Sequence, residues 1–480
     1  MEQAINAINN IIWSNALIIL CLATGIYFSF ATGFLQIRYL KDMTRLLFRS
    51  SSSTKGVSSF QAFALALSGR IGTGNIAGVA TAIAMGGPGA VFWMWLIAFL
   101  GSASAYVEAT LGQIYKEVKD GQYRGGPAFY IEKGLGVKWY AILFAIATIL
   151  ATAVFLPGVQ SNSIAQSSQT AFGIPVEYMG LGLVLLLGLI IIGGVKRIAK
   201  VAEVVVPFMA GGYIILALSI IAIHFREIPE VFMLIVRSAF NFEPAFAGVI
   251  GMAVAWGVKR GIYSNEAGQG TAPHAAAAAE VSHPAKQGLV QAFSVYVDTL
   301  FVCTATAFMI LFTSKYNIQH PEGGYIVENI PGIEIGPAYT QHAIAAHFPL
   351  IGGPAVAIAL LFFAFTTIMA YYYMAETNLS YLDRKGKHKW LVWVLRILIL
   401  TATYYGTVRT AEVAWTLGDI GVGLMAWLNL IALLLLRKPA LKALKDYSQQ
   451  KKAGKDPVFN AEEHGISGAS HWKADAGLKG

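Results

Sequence analysis

Four glycines, Gly69, Gly72, Gly74 and Gly78, fall within one apolar stretch, and Ser68, Arg70, Thr73 and Asn75 stand among them. Each glycine inside a helix costs about 1 kcal/mol relative to alanine. Three within six residues predict that the helix unwinds there. A helix break leaves N–H groups unpaired at the start of its second half and carbonyls unpaired at the end of its first. The N–H end is partly positive and suits a carboxylate. The carbonyl end suits a cation. The N–H groups around Gly72, Thr73, Gly74 and Asn75 are therefore expected to hold a carboxylate, and the carbonyls from Ser68 to Ile71 to face cations. A site with both ends fits a zwitterion, a free amino acid, and the glycines favour a small one. Close helix packing would account for the pair Gly74 and Gly78, but not for the polar residues beside them. A dinucleotide loop needs a preceding strand, which is missing here.

A second stretch, Trp256 to Gly270, repeats the pattern with four glycines plus Lys259, Arg260 and Glu266. Ionisable groups inside a membrane segment mark function by default. Pairing of Arg260 with Glu266, and of Glu108 with Arg70, would lower the cost of burying them. Trp256 and Ser264 of this stretch are assigned to the substrate.

Further candidates stand on other spans. Thr366 and Thr367 are adjacent hydroxyls in an apolar helix and could complete a cation's oxygen shell; bonding to their own helix carbonyls is the competing reading. Asp298 is a carboxylate well inside its span, with a structural partner or a cation as its alternatives. Gln160 and Asn162 close the fourth span and could line the approach to the site, or simply end a helix. Arg396 is expected to snorkel to the interface. No catalytic constellation or metal-ligand spacing accompanies the nine histidines.

The elements that must position these residues are membrane helices. The chain has 480 residues, 56% hydrophobic and 13% charged, with a mean hydropathy of +0.58. Soluble domains carry roughly 25% charged residues, so the class is an all-α, polytopic integral membrane protein. Cys21 and Cys303 exclude a disulfide framework, and the net charge of +9 reads as topology rather than nucleic-acid binding. Eleven spans are expected, at 13–37, 57–85, 89–114, 138–160, 178–195, 197–224, 244–279, 285–313, 350–380, 390–406 and 410–436. Of 35 basic residues, 27 fall in alternate loops on one side and four on the other. The positive-inside rule makes the rich side cytoplasmic, with the N-terminus outside, the C-terminus inside and the first span retained. Residues 1–440 form one transmembrane domain and 441–480 a cytoplasmic tail, which from about Gln449 to Gly480 is expected to be solvated and largely disordered. Short interfacial helices are expected at 128–134 and 338–348. The two broken spans each open a set of five, spans 2–6 (57–224) and 7–11 (244–436). An odd number inverts the second set, the arrangement of secondary transporters with a site at mid-membrane. The first span, 13–37, is extra.

The segments Gly69–Ile83, Gly86–Trp95, Arg124–Ala128 and Ser264–Gly268, with Asp298-Thr-Leu and Phe365-Thr-Thr-Ile, resemble the alanine or glycine:cation symporter family of the amino acid-polyamine-organocation superfamily. The likeness runs from about residue 10 to 440. It implies the leucine-transporter fold and sodium-driven uptake of alanine or glycine across a prokaryotic inner membrane, without a cofactor. By the pattern of that fold, Gly74 takes the substrate carboxylate and Asn75 one sodium. A second sodium lies between the carbonyls of Ser68 and Ile71 and the hydroxyls of Thr366 and Thr367. Gln269 and His274 stand where the family often has Met and Asn, and some members resemble glutamine carriers. Glutamine or another neutral amino acid, or coupling to protons through Asp298 or Glu266, are the alternatives. A channel or a membrane enzyme is a more distant one.

Overall fold

The computed structural model describes residues 2–48, 55–119, 121–240 and 250–472. Residues 244–249 of the seventh expected span, 49–54 of the first basic loop and 473–480 of the tail lie outside them. Among the described residues, eight helices are long and apolar enough to cross a membrane: Gln3–Ala31, Gly89–Ile114, Lys138–Phe172, Lys196–Ile223, Pro284–Phe312, Gly352–Leu382, Trp390–Thr407 and Ala411–Leu435. They make a multi-pass bundle. Two short antiparallel hairpins, Glu117–Lys119 with Gln122–Arg124 and Asn317–Gln319 with Tyr325–Glu328, are its β-structure. The expected short helices occur as Pro127–Tyr130 and Pro337–Ala345.

Three expected spans fall short of crossing length. The fifth is the apolar helix Val176–Ile191, followed closely by Gly194–Ile223. The second and seventh are interrupted. In the second, Ser59–Arg70 begins at a capping box in which Ser58 and Gln61 satisfy each other's backbone N–H. It stops at Ile71, whose backbone is extended. The chain resumes as a wide π turn, Gly74–Gly78, and the helix Val79–Gly86. In the seventh, Ile250–Asn265 ends before Glu266, which takes φ +54°, and Gly268 and Gly270 both take φ +83°. Left-handed backbone cannot continue a right-handed helix. Ala272–Ala278, with Pro273 in its first turn, completes the span.

Two boundaries differ from expectation. The first span begins at Glu2 and kinks near Trp13. There Trp13 Nε1 donates to Asp419 O at 2.8 Å and Trp427 Nε1 to Ile12 O at 2.9 Å, which pin the kink to the last span. The fourth span does not end at 160. It runs to Phe172 through a π turn, Ala151–Phe155, which directly precedes Pro157. A proline removes one N–H and crowds the preceding turn, and widening there lets the helix continue. Gln160 and Asn162 thus lie inside a helix and are buried.

As far as Trp472, the tail is not a disordered extension. Arg437–Lys452 is a helix, and the chain then folds back so that Phe459, Ile466 and Trp472 are buried. Its average composition is polar, but these widely spaced apolar side chains give it something to bury.

Arg260 does not pair with Glu266. Its Nη1 and Nη2 donate to the two carboxylate oxygens of Asp419 at 3.0 and 2.8 Å, and Lys259 Nζ reaches Asp419 at 2.7 Å. Trp256, Tyr263 and Trp415 surround the guanidinium, with ring centroids 5.1, 5.6 and 4.5 Å away. The helix ends at Asn265 and Glu266 takes left-handed backbone, and its carboxylate lies beside Gly69 instead. Removing one partner of a buried ion pair costs about 3–5 kcal/mol, because a charge is left uncompensated. Asp419→Ala should therefore lower the thermal unfolding temperature in detergent strongly, and Glu266→Gln much less. An equal fall in both would return Arg260's partner to Glu266.

Candidate functional site

The two breaks meet. A Cβ on Gly74 would lie 3.0 Å from Ser264 Cα, so the backbones touch at a position that has no room for a side chain. Asn75 closes the first break from within. Its Oδ1 accepts from Gly72 N at 2.8 Å, and its Nδ2 donates to Asp298 Oδ1 at 2.6 Å. Ser264 Oγ donates to Asp298 Oδ2 at 3.0 Å and Thr299 Oγ1 to the same oxygen at 2.7 Å. Asp298 therefore joins the first break, the second break and the eighth span in one node. Cys303 Sγ sits 3.4 Å from Asn75 Nδ2 and 3.3 Å from Ser264 Oγ.

The first break's amides are not free as expected. Thr73 N donates to Gln160 Oε1 at 3.0 Å, and Asn75 N to Gly72 O at 3.2 Å. Two conditions hold Gln160 there: the fourth span continues past 160, and Gly72 has no side chain. A Cβ on Gly72 would stand 2.9 Å from Gln160 Oε1 and 2.6 Å from Thr367 Oγ1. Thr73 Oγ1 is buried without a hydrogen-bond partner.

The carbonyl end forms an oxygen cluster. Thr367 Oγ1 lies 2.8 Å from Ser68 O, 3.3 Å from Ile71 O and 2.9 Å from Phe363 O. Thr366 Oγ1 touches Phe363 O at 3.0 Å, Phe362 O at 2.9 Å and Met209 Sδ at 3.7 Å, so it joins the cluster only through Phe363. Oxygen-only clusters suit hard cations. Here the Thr367 hydroxyl proton occupies that role.

The second break is clamped by a carboxylate. Glu108 Oε2 accepts from Gly270 N at 3.0 Å and from Asn429 Nδ2 at 2.9 Å, and Asn429 Nδ2 also donates to Gly268 O at 2.9 Å. The expected Arg70–Glu108 pair is not a direct bond. Arg70 Nη1 donates to Gln291 O at 3.0 Å and to Ser294 Oγ. Glu108, bonded to Gly270 of the second break and to Asn429 of the last span, acts on Arg70 through space, as do Glu266 and Asp298. When ionised, these three carboxylates exceed the single guanidinium by two charges. A dry interior does not tolerate such an excess without cations or protons.

Of the sequence candidates, Ser68, Arg70, Ile71, Gly72, Thr73, Gly74, Asn75, Gln160, Ser264, Glu266, Asp298 and Thr367 converge on the breaks. Thr366 borders them and Glu108 holds the second. Three stand apart. Asn162 Nδ2 donates to Gly406 O and Arg409 O at 3.1 and 2.7 Å, tying the fourth span to the tenth. Trp256 and Arg260 belong to the Asp419 cluster. Sequence reasoning missed Thr299, Asn429, Asp419 and the Phe363 carbonyl. A hydroxyl directly after Asp298 and the lone Asp and Asn deep in the last span were legible signals; a carbonyl has none. Asn75, Ser264, Asp298, Thr366 and Thr367 are all at most 1% exposed, so the centre is closed to both faces.

Comparison with known proteins gives the same outline. The model of the sodium:alanine symporter family matches residues 1–461. YrbD of Bacillus subtilis, whose name pairs sodium or protons with alanine, is 62% identical over 475 residues, 99% of this chain and 98% of YrbD. The sodium/proton-dependent alanine carrier protein of Bacillus sp. PS3 is 56% identical over 432 residues, 90% of this chain and 97% of the carrier. GlnT of Bacillus subtilis, whose name pairs sodium with glutamine, is 46% identical over 461 residues, 96% of this chain and 93% of GlnT. This membrane protein is a transporter rather than an enzyme, and it belongs to the sodium:alanine symporter family.

Proposed function

We propose that this protein is a secondary active symporter that imports alanine, and glycine with it, together with Na⁺ across a prokaryotic inner membrane. The observation that carries this reading is the meeting of two interrupted helices around buried oxygen donors and uncompensated carboxylates. The reading takes the chain as eleven crossings, with 57–224 and 244–436 as inverted sets of five beside one extra N-terminal helix. The face rich in Lys and Arg is cytoplasmic, as the positive-inside rule requires, so the N-terminus lies outside.

One Na⁺ would sit among Ser68 O, Ile71 O, Phe363 O and a lone pair of Thr367 Oγ1, whose hydroxyl keeps its proton and turns it away, with Thr366 at the edge. A second would sit by Asp298 with Asn75, Ser264 and Thr299. The amino acid would lie across the first break. Its carboxylate needs N–H donors near Gly72, Thr73 and Gly74, so Gln160 must release Thr73 as substrate enters. The zwitterion adds no net charge, and each cation offsets one of the excess carboxylates. Ion and solute therefore stabilise one site together, and the two sets of helices then rock to open it inward.

Two alternatives have support. The carriers whose names include protons, and three buried carboxylates, favour proton coupling through Asp298 or Glu266. The likeness to GlnT favours glutamine. In proteoliposomes, labelled alanine should accumulate under an inward Na⁺ gradient, and unlabelled alanine should compete better than glutamine. Accumulation driven by a pH gradient without Na⁺ would replace sodium with the proton, and stronger competition by glutamine would replace the substrate.

Thr367→Ala should raise the Na⁺ concentration for half-maximal uptake about tenfold, the equivalent of roughly 1.4 kcal/mol, without changing the order in which amino acids compete. Thr366→Ala should shift it much less, because that hydroxyl joins the cluster only through Phe363. Asn75→Ala should impair both Na⁺ dependence and alanine affinity. An unchanged Na⁺ response in Thr367→Ala would take the hydroxyl out of the cation site.

A further inference from the structure

For solute to leave on the basic face, the helix Ala272–Ala278 and its neighbours must part. The carbonyls at the end of that helix need partners. Val57 N donates to Ala278 O at 2.9 Å, and Glu280 N returns a bond to Val57 O at 2.9 Å. Gln113 Nε2 donates to Ala276 O, and to Ala279 O at 3.0 Å. Lys116 Nζ donates to Ala279 O at 2.9 Å. This small group ties both broken spans to the end of the third span.

The folded-back tail lies directly on it. Trp472 Nε1 donates to Gln113 O at 2.8 Å, and its ring centroid stands 5.3 Å from Lys116 Nζ. Phe459 meets the Trp472 ring edge-on at 5.7 Å, and its N–H donates to Ser282 O at 3.0 Å. Ser282 Oγ donates to Pro457 O at 2.9 Å, and Lys286 Nζ pairs with Asp456 at 2.8 Å. The strap therefore grips the chain on both sides of Ala272–Ala278, at residues 113–116 before it in space and at 282–286 after it in sequence. Its own turn is closed by Gln450, which bonds both the N–H and the carbonyl of Val458. A solvated tail has no use for a buried tryptophan whose N–H is spent on the backbone of a transmembrane helix.

We propose that residues 453–472 are a latch on the basic-face gate, with Trp472 a positioning residue that acts through Gln113 to hold the second broken span shut. The latch rests on the transporter reading above, but not on the identity of the ion or the solute. Releasing it shifts the molecule toward the state open on the basic face and away from the opposite state.

The test uses the full chain with one reporter cysteine at a time in detergent, where both faces are reachable. Ala275→Cys reports on the helix Ala272–Ala278, and Val258→Cys on the other half of the same span. Both positions are buried. Trp472→Ala should speed maleimide labelling at position 275 at least threefold and slow it at 258. Trp472→Phe, which keeps a ring over Lys116 but lacks the N–H, should fall between. Equal labelling of all chains at 275 would overturn the latch. Faster labelling at both positions would also overturn it, because that is general loosening rather than a change of state. Loss of Na⁺-driven alanine uptake in the parent chain would sink the symport reading and leave this labelling comparison intact.

Discussion

Backbone groups freed at mid-membrane have no water to turn to, so each must find a side chain or a ligand. The centre of this protein is organised by that requirement. Gln160, Asn75 and Thr367 serve the first break, and Glu108 with Asn429 serves the second. The two solutions differ in kind. The first break is satisfied by two neutral amides and a hydroxyl, whose hydrogen bonds can be exchanged for those of a ligand at little net cost. The second is held by a carboxylate and an amide that reach from two other spans.

Charge follows the same division. Lys259 and Arg260 surround Asp419 with a single excess positive charge, shared with aromatic faces. Around Arg70 the excess is negative, from Glu108, Glu266 and Asp298. An aromatic box softens the cations' burial, and hydrogen-bond donors soften that of Asp298 and Glu108. When all three carboxylates are ionised, a cation beside the first break would offset part of that surplus.

Much of this was legible in the residues. Glycines 69, 72 and 74 announced one interruption, and the cluster from Gly257 to Gly270 announced the other. Thr367 is placed beside Ser68 and Ile71 only by the family resemblance, because its spacing alone favours the bond to its own helix carbonyl that it also makes. What sequence patterns could not carry was which partner each buried charge would choose. Arg260 has Glu266 six residues away, yet it bonds Asp419, which is 159 residues distant and on the last span. Local spacing favours near partners, whereas a bundle offers far ones at the same depth. The fourth span was cut short for a related reason: Pro157 and the polar run after it look like a helix end, but a π turn absorbs the proline and the polar side chains face other helices. The tail was misread because composition averages over Phe459 and Trp472, two residues whose positions matter more than their neighbours' polarity.

The closed centre is therefore bounded by two unlike barriers. One contains a bidentate ion pair in an aromatic box, the other a set of hydrogen bonds between helix ends. Neither makes opening prohibitive. Water that enters the first hydrates both charges and so offsets the attraction it weakens. Water that enters the second replaces hydrogen bonds of similar strength. A transporter needs states only a few kcal/mol apart, because a ligand can shift an equilibrium by no more than its differential affinity for them. Barriers made of exchangeable polar contacts are compatible with that condition.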